Sequence, residues 1–483
     1  MSQRRVRSSF LVFLMLSSVL IALVGPASPV LANNETTSGT ITTSETWSGN
    51  HQLTGDVTIA SGAKLIIEPG TTVIFPNGTY LDVRGNLCAG DRTCGASGDA
   101  SLANKITFRW TDPANDSEIG ECKGMKQGSQ EIQVEDASCF EGVLIRSSID
   151  LSETGFRHIT IDDAWGIPYY IDSINRWRYG AMVIDGASPT LTQMSFSNIN
   201  TSSVLTTNLA QPIFVDGTYI AGNDQKSGVG GSAVQIYGSG TQVTPLVMNS
   251  PLFVGTNNGC GNNDGGRPTL WAQETFIEIN DATVNTGDYG FAFVSSSGSL
   301  TNSDINVNCN GVDINGVKAI QGVAYTFEVG NNEIETDEGS GITVYDGGDA
   351  ELHNNAISGV ADRSGITIQS SKAHIHNNDI GPIGGWNGLW LTGSFDVIAE
   401  YNSISDTART PIQVGELSSS GPAPSASRLH FTNNTVSVNN PGTCSSFKYW
   451  GGEYTCPAVS VFRSGVTLYD NDFSLGGDSD GIR

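Results

Sequence analysis

Four of the six histidines in this chain lie between His353 and His430, and acidic residues are interleaved with them. Imidazole nitrogens and carboxylate oxygens together chelate transition metals, and the same pair can pass a proton as acid and base. His353, His374, His376 and Glu400 are therefore the candidate metal ligands. The structural alternative is a polar face that has gathered histidine without binding anything, and it is the favoured one. A second chemistry belongs to indoles, whose flat faces stack on sugar rings. Trp386 and Trp390 stand four residues apart, and Trp165 and Trp177 fall in an aromatic stretch, Ala164 to Gly180, with Tyr169, Tyr170, Tyr179, Arg176 and Arg178. That stretch is either a ligand surface or, preferably, a loop folding its aromatics over its own scaffold, because aromatic burial keeps a long loop ordered.

The elements that must position these groups repeat one short phrase. It runs Gly341-Ile-Thr-Val then Asn354-Asn355-Ala-Ile357, Gly365-Ile-Thr-Ile then Asn377-Asn378-Asp-Ile380, and Gly388-Leu-Trp-Leu then Tyr401-Asn402-Ser-Ile404. A fixed period with alternation of two inside it marks a β-solenoid, whose coils bury their apolar faces only by stacking. Aligned on Asn332, Asn355, Asn378, Asn402, Asn434 and Asn471, the residues two after, three before and five before stay apolar in every copy. Those columns fix the inward face, since a slip of one residue would turn all of them outward. The Asn column itself reads as an internal ladder, each amide bonding its copy about 4.8 Å away. Outward then fall Glu328, Glu351, His374, Ile398, His430 and Thr467 in one column, and Gly330, His353, His376, Glu400, Thr432 and Tyr469 in the other. Glu351 is thus expected beside His374, and Glu400 beside His376. Trp390 shares a column with Thr343 and Thr367, and the 415–427 insertion is expected to cover it.

Short alternating pairs separated by Gly- and Pro-containing turns begin at Gly55, so the β-helix is expected over 55–483, with regular coils at about 312–414. Residues 33–54 read as a polar lead-in. Insertions are expected at 88–140, 164–180, 257–270, 415–427 and 440–456. Eight cysteines, an even number, favour disulfides in an exported chain. Neighbours along a solenoid share coils, which favours Cys88–Cys94, Cys122–Cys139, Cys260–Cys309 and Cys444–Cys456; sequence leaves other pairings open. The Asn257–Gly266 loop and the acidic tail at Asp478 and Asp480 offer oxygen ligands to calcium, but the loop lacks an ordered calcium-loop spacing and reads as a turn. No cofactor is required; calcium or a transition metal is the possible one.

Residues 1–32 combine arginines, an apolar run and a small-residue end, the pattern of a cleaved secretory signal. No stretch has the length of a comfortable membrane span. The expectation is a secreted or cell-surface protein. With 49 acidic residues against 24 basic, the net charge of −25 excludes nucleic-acid binding, which needs clustered cations.

From Gly55 onward the Asn-Asn-x-Ile repeat resembles the pectate-lyase-like right-handed parallel β-helix superfamily, in particular its parallel β-helix repeat proteins of the carbohydrate-binding and sugar-hydrolase type. The resemblance implies an all-β, right-handed parallel β-helix with disulfide-pinned insertions. It leaves activity open, because that scaffold carries lyases, hydrolases, epimerases, adhesins and non-enzymatic surface proteins. Asp162-Asp163 is the one adjacent Asp pair, and neither Ser-His-Gly nor Arg-Ile-Lys accompanies it as a polygalacturonase would require. The expected function is thus a non-catalytic scaffold or a module binding a polysaccharide or cell-surface partner. The alternatives are a polysaccharide lyase or glycoside hydrolase, and a metal-binding β-helix.

Overall fold

The computed structural model describes residues 35–110, 140–146, 153–221, 231–255, 260, 268–320, 323–393, 395–407, 410–415, 427–438, 457–462, 464–475 and 482. Among them the regular elements are short strands and three single-turn 3-10 helices, with no α-helix. One sheet has 30 strands and another 15. The larger is two parallel ladders joined at Asn50–Ile59, whose first half pairs with Thr72–Phe75 and whose second half pairs with Tyr80–Val83. Each coil therefore offers three strands to three ladders. Parallel neighbours need a long crossover, and here the crossover is the rest of the coil. This is the right-handed parallel β-helix expected from the repeat.

The stack begins earlier than the sequence suggested. Glu35–Ile41 pairs in parallel with Asn50–Ile59, and Glu45–Trp47 pairs with Lys64–Ile67. Residues 35–54 of the polar segment are drawn into the first coil because Ile41, Trp47 and Leu53 supply enough burial to hold them. Downstream, the inward columns fall where alternation puts them. Phe327, Ala350, Ala373, Val397 and Leu429 are buried, as are Val329, Leu352, Ile375, Ala399 and Phe431. The repeat's two halves specify one another: a Cβ on Gly365 would stand 2.5 Å from Ile380 Cγ2 and 2.9 Å from the Gly388 carbonyl oxygen. Only glycine lets the coil close on that isoleucine.

The paired asparagines divide two jobs. The first residue of each pair takes the left-handed turn, with φ of 53° at Asn354, 55° at Asn377 and 57° at Tyr401. The second builds the ladder: Asn355 Nδ2 donates to Asn378 Oδ1 at 2.9 Å and Asn378 Nδ2 to Asn402 Oδ1 at 2.9 Å. Each Oδ1 also accepts the backbone N–H of the preceding Asn, so these buried amides are satisfied from both sides. Cys88–Cys94 and Cys260–Cys309 are disulfide-bonded. Cys122, Cys139, Cys444 and Cys456 lie outside the described residues.

Candidate functional site

The two outward faces that carry the candidate residues belong to different ladders. On the larger sheet, the strands Val234–Tyr237, Pro268–Gln273, Tyr289–Val294, Val312–Asn315, Ile342–Tyr345, Ile366–Gln369, Leu389–Thr392 and Ile412–Val414 pair in register. Their inward residues are Leu270, Phe291, Val312, Ile342, Ile366 and Leu389, all buried. Alternation then turns the next residue of each strand outward, in one column: Gln235, Trp271, Ala292, Asp313, Thr343, Thr367, Trp390 and Gln413.

A cleft of about 510 Å³ opens over this column from Thr343 to Trp390. Its walls are turn residues, among them Asn310, Glu338, Ser340, Asp362 and Arg363, with the Cys260–Cys309 disulfide at one side. Trp386 meets Trp390 edge to face, ring centroids 5.7 Å apart, and the Arg363 guanidinium sits 5.2 Å above the Trp386 ring. Trp390 Nε1 is buried without an acceptor among the described residues, so the ring offers the cleft hydrocarbon surface instead of its N–H. Behind the cleft-lining Asn310, both Asp313 oxygens accept from its Nδ2, at 3.0 and 3.2 Å. Burial pushes the Asp313 carboxyl up to about 6, against the hydrogen bonds from Asn310 and Thr343. The Tyr289 phenol is also raised, first by burial, then by the charges of Asp313 and Asp288, with Arg363 opposing.

Two further clefts lie along the same sheet. One, of about 650 Å³, is lined by Arg176, Arg178, Gln235, Tyr237, Trp271 and Gln273 among others. Trp271 continues the Trp390 column and also turns its Nε1 inward without a partner among the described residues. The other, of about 520 Å³, includes Tyr80, Glu141, Arg146, Tyr169, Tyr170 and Trp177. Burial, and then the Asp56 charge, push Glu141 up to about 7. The aromatic stretch forms part of both walls. It is an antiparallel hairpin, Ile167–Ile171 against the start of Arg176–Asp185, packed over Leu144, Val183 and Leu205 on the sheet's outer side.

The histidine strip stands on the 15-stranded sheet. Register pairs Glu351 with His374 and His376 with Glu400, as the spacing indicates. The hydrogen bonds nevertheless run diagonally: His353 Nε2 to Glu328 Oε1 at 2.9 Å, His374 Nε2 to Glu400 Oε1 at 3.0 Å and His376 Nε2 to Glu351 Oε1 at 3.4 Å. Long side chains reach the diagonal neighbour of a strand pair as readily as the one opposite. The His353 and His376 rings stack at 5.2 Å, and the His374 and His376 rings lie 4.5 Å apart.

The sequence-derived residues therefore divide. Trp386 and Trp390 meet in one cleft. Trp165 is 2% exposed within the main core, whereas Trp177 is 56% exposed, edge to face with Tyr170. His374 and His376 converge with Glu351, not with His353 and Glu400, because Glu328 engages His353 and Glu400 bonds only His374. The 416–426 part of the insertion expected over Trp390 lies outside the described residues, as do the Asn257–Gly266 loop apart from Cys260, the acidic tail and the 1–32 leader. Sequence reasoning missed Asp313, Tyr289, Arg363, Trp271 and Glu141. The available signal was the outward position of the Gly-Ile-Thr-Val strand, followed upstream through Gly290-Phe-Ala-Phe and Gly311-Val-Asp-Ile.

The family comparison agrees with this architecture. Residues 315–479 match a family described as the right handed beta helix region. No curated protein matches the chain. Solved structures similar over most of its length include the periplasmic alginate epimerase AlgG, at 12% identity and a TM-score of 0.36, covering 89% of this chain and 77% of that one. A tailspike protein mutant of E. coli bacteriophage HK620, in complex with a hexasaccharide, is 12% identical with a TM-score of 0.40, covering 89% and 71%. The A-module of Azotobacter vinelandii mannuronan C-5 epimerase AlgE6 is 9% identical with a TM-score of 0.33, covering 87% and 89%.

Proposed function

We propose that this chain is an exported glycan-binding β-helix, with the cleft from Thr343 to Trp390 as its principal subsite. The observation that carries the reading is the single outward column holding Trp271, Asp313 and Trp390. Trp271 and Trp390 are five coil steps apart, about 24 Å at the usual strand spacing. Indole surface repeated along a straight row suits an extended polymer better than a small compact ligand. The disulfides support residence in an oxidising compartment, and no helix among the described residues is long and apolar enough to cross a membrane.

The charge of the cleft narrows the ligand. Glu338 and Asp362 face one Arg363, on a chain of net charge −25. A polyanionic chain would be repelled, so a neutral glycan is the expected ligand. A second reading, that the cleft also modifies what it binds, is favoured by Asp313, which bonds the cleft-lining Asn310 and whose charge acts on Tyr289: a carboxyl pushed up to about 6 by burial suits proton transfer.

Neutral and acidic polysaccharides, assayed with the full chain for both binding and altered or shortened product, test both readings. Binding of a neutral glycan that weakens at least about fivefold in Trp390→Ala supports the proposal, in line with the value of an aromatic contact. No binding across the array, or binding indifferent to both Trp390→Ala and Trp386→Ala, would overturn it. Product formation lost in Asp313→Asn would establish the second reading.

A further inference from the structure

The geometry points to a transition-metal site on the other face of the solenoid, formed by Glu351, His374 and His376. One ligand atom from each lies within 4.8 Å of the other two. Tetrahedral zinc with bonds of 2.0–2.1 Å needs its ligands about 3.4 Å apart, so small side-chain rotations bring these three together. Two imidazoles and one carboxylate select a borderline ion such as Zn²⁺ or Cu²⁺ over calcium or magnesium, which prefer all-oxygen shells.

The surroundings hold the ligands in place. His376 is stacked on His353 with an interplanar angle of 16°, and His353 is itself fixed by Glu328 at 2.9 Å. Asn377 lies 3.0 Å from His376 Nδ1. An ion on Nε2 leaves the ring proton on Nδ1, and the Asn377 carboxamide, turned over, accepts it; an oriented partner of this kind is what metal-bound histidines have. Glu400, 3.0 Å from His374 Nε2, is the next carboxylate within reach. The Glu351 and His374 side chains are 48% and 41% exposed, so an ion enters from solvent and keeps a position open to water. Glu351 belongs to one coil and both histidines to the next, so the ion would tie neighbouring coils together. None of this rests on the glycan reading.

Calorimetric titration of Zn²⁺ into the chelator-stripped full chain tests the assignment, together with the electron paramagnetic resonance spectrum of the Cu²⁺ form. The expected result is one equivalent bound, nitrogen hyperfine splitting from copper, and at least about tenfold weaker zinc binding in both His374→Ala and His376→Ala. His430→Ala, two coils beyond His374 in the same outward column, should bind like the native chain. No uptake, uptake unchanged by the two alanine variants, or an equal loss in His430→Ala would overturn the site. His374→Gln and His376→Gln, each checked by circular dichroism, serve if an alanine variant fails to fold.

Discussion

Replacing Asn378 by alanine should be among the most damaging single changes in the C-terminal coils. Asn378 is 2% exposed. Its Oδ1 accepts the Asn355 backbone N–H at 3.0 Å and Asn355 Nδ2 at 2.9 Å; its own Nδ2 donates to the Leu352 carbonyl at 2.8 Å and to Asn402 Oδ1 at 2.9 Å. Alanine leaves two buried donors of Asn355 without this acceptor. At about 1–3 kcal/mol for each unsatisfied buried group, the loss is about 2–6 kcal/mol, towards the lower end if water enters the vacated space. Asn471→Ala removes the equivalent acceptor from Asn434, but Asn471 is only partly buried, so water can substitute and the cost should be smaller. Urea unfolding followed by tryptophan fluorescence gives the shift in midpoint. Hydrogen exchange at the Asn355 amide shows whether the loosening is local. An Asn378→Ala protein within about 0.5 kcal/mol of the native one, or a loss no larger than that of Asn471→Ala, would refute the ladder as a source of stability.

Asp313 should make stability depend on pH. Its folded value, about 6, lies above the ordinary carboxylate range, so the folded state binds the extra proton and stability falls as pH rises from about 4 to 6; Asp313→Asn should flatten that interval in denaturant titrations. The Cys260–Cys309 bridge spans 49 residues, and the double serine variant should lose about 4 kcal/mol of unfolding free energy in urea titrations. The tryptophans of the aromatic stretch should separate sharply in thermal melts. Trp165→Ala empties a core position at about 3–5 kcal/mol, while exposed Trp177→Ala stays within about 0.5 kcal/mol.

The C-terminal coils were legible because their three apolar columns and the Asn column repeat together, and each constrains the register of the others. Upstream, that redundancy fails. The ladder gives way at Ser303, whose backbone N–H donates to Asn332 Oδ1 at 2.9 Å, and Ala181 and Ala233 stand where later coils use glycine. Coils such as Ser202–Thr207 have no phrase to find. The cleft was harder still, since Tyr289, Thr343, Arg363 and Trp390 come from different coils and adjoin only through the stack. The histidines stand out because they are rare. Their convergence was visible as a strip, but the diagonal pairing depends on side-chain lean, which column position does not encode. For the aromatic stretch, composition indicated packing over the scaffold, but the division between buried Trp165 and exposed Trp177 awaited the hairpin.

The ladder also separates distance along the chain from distance in space. From Asn332 to Asn471 the intervals are 23, 23, 24, 32 and 37 residues, yet every side-chain bond between successive members measures 2.8–3.0 Å. The longer intervals leave the rise between successive ladder members unchanged. The frame thus behaves like a rack with fixed shelves: loops can be extended, exchanged or grafted between its asparagines, while loss of a single amide disturbs the shelf above and the shelf below.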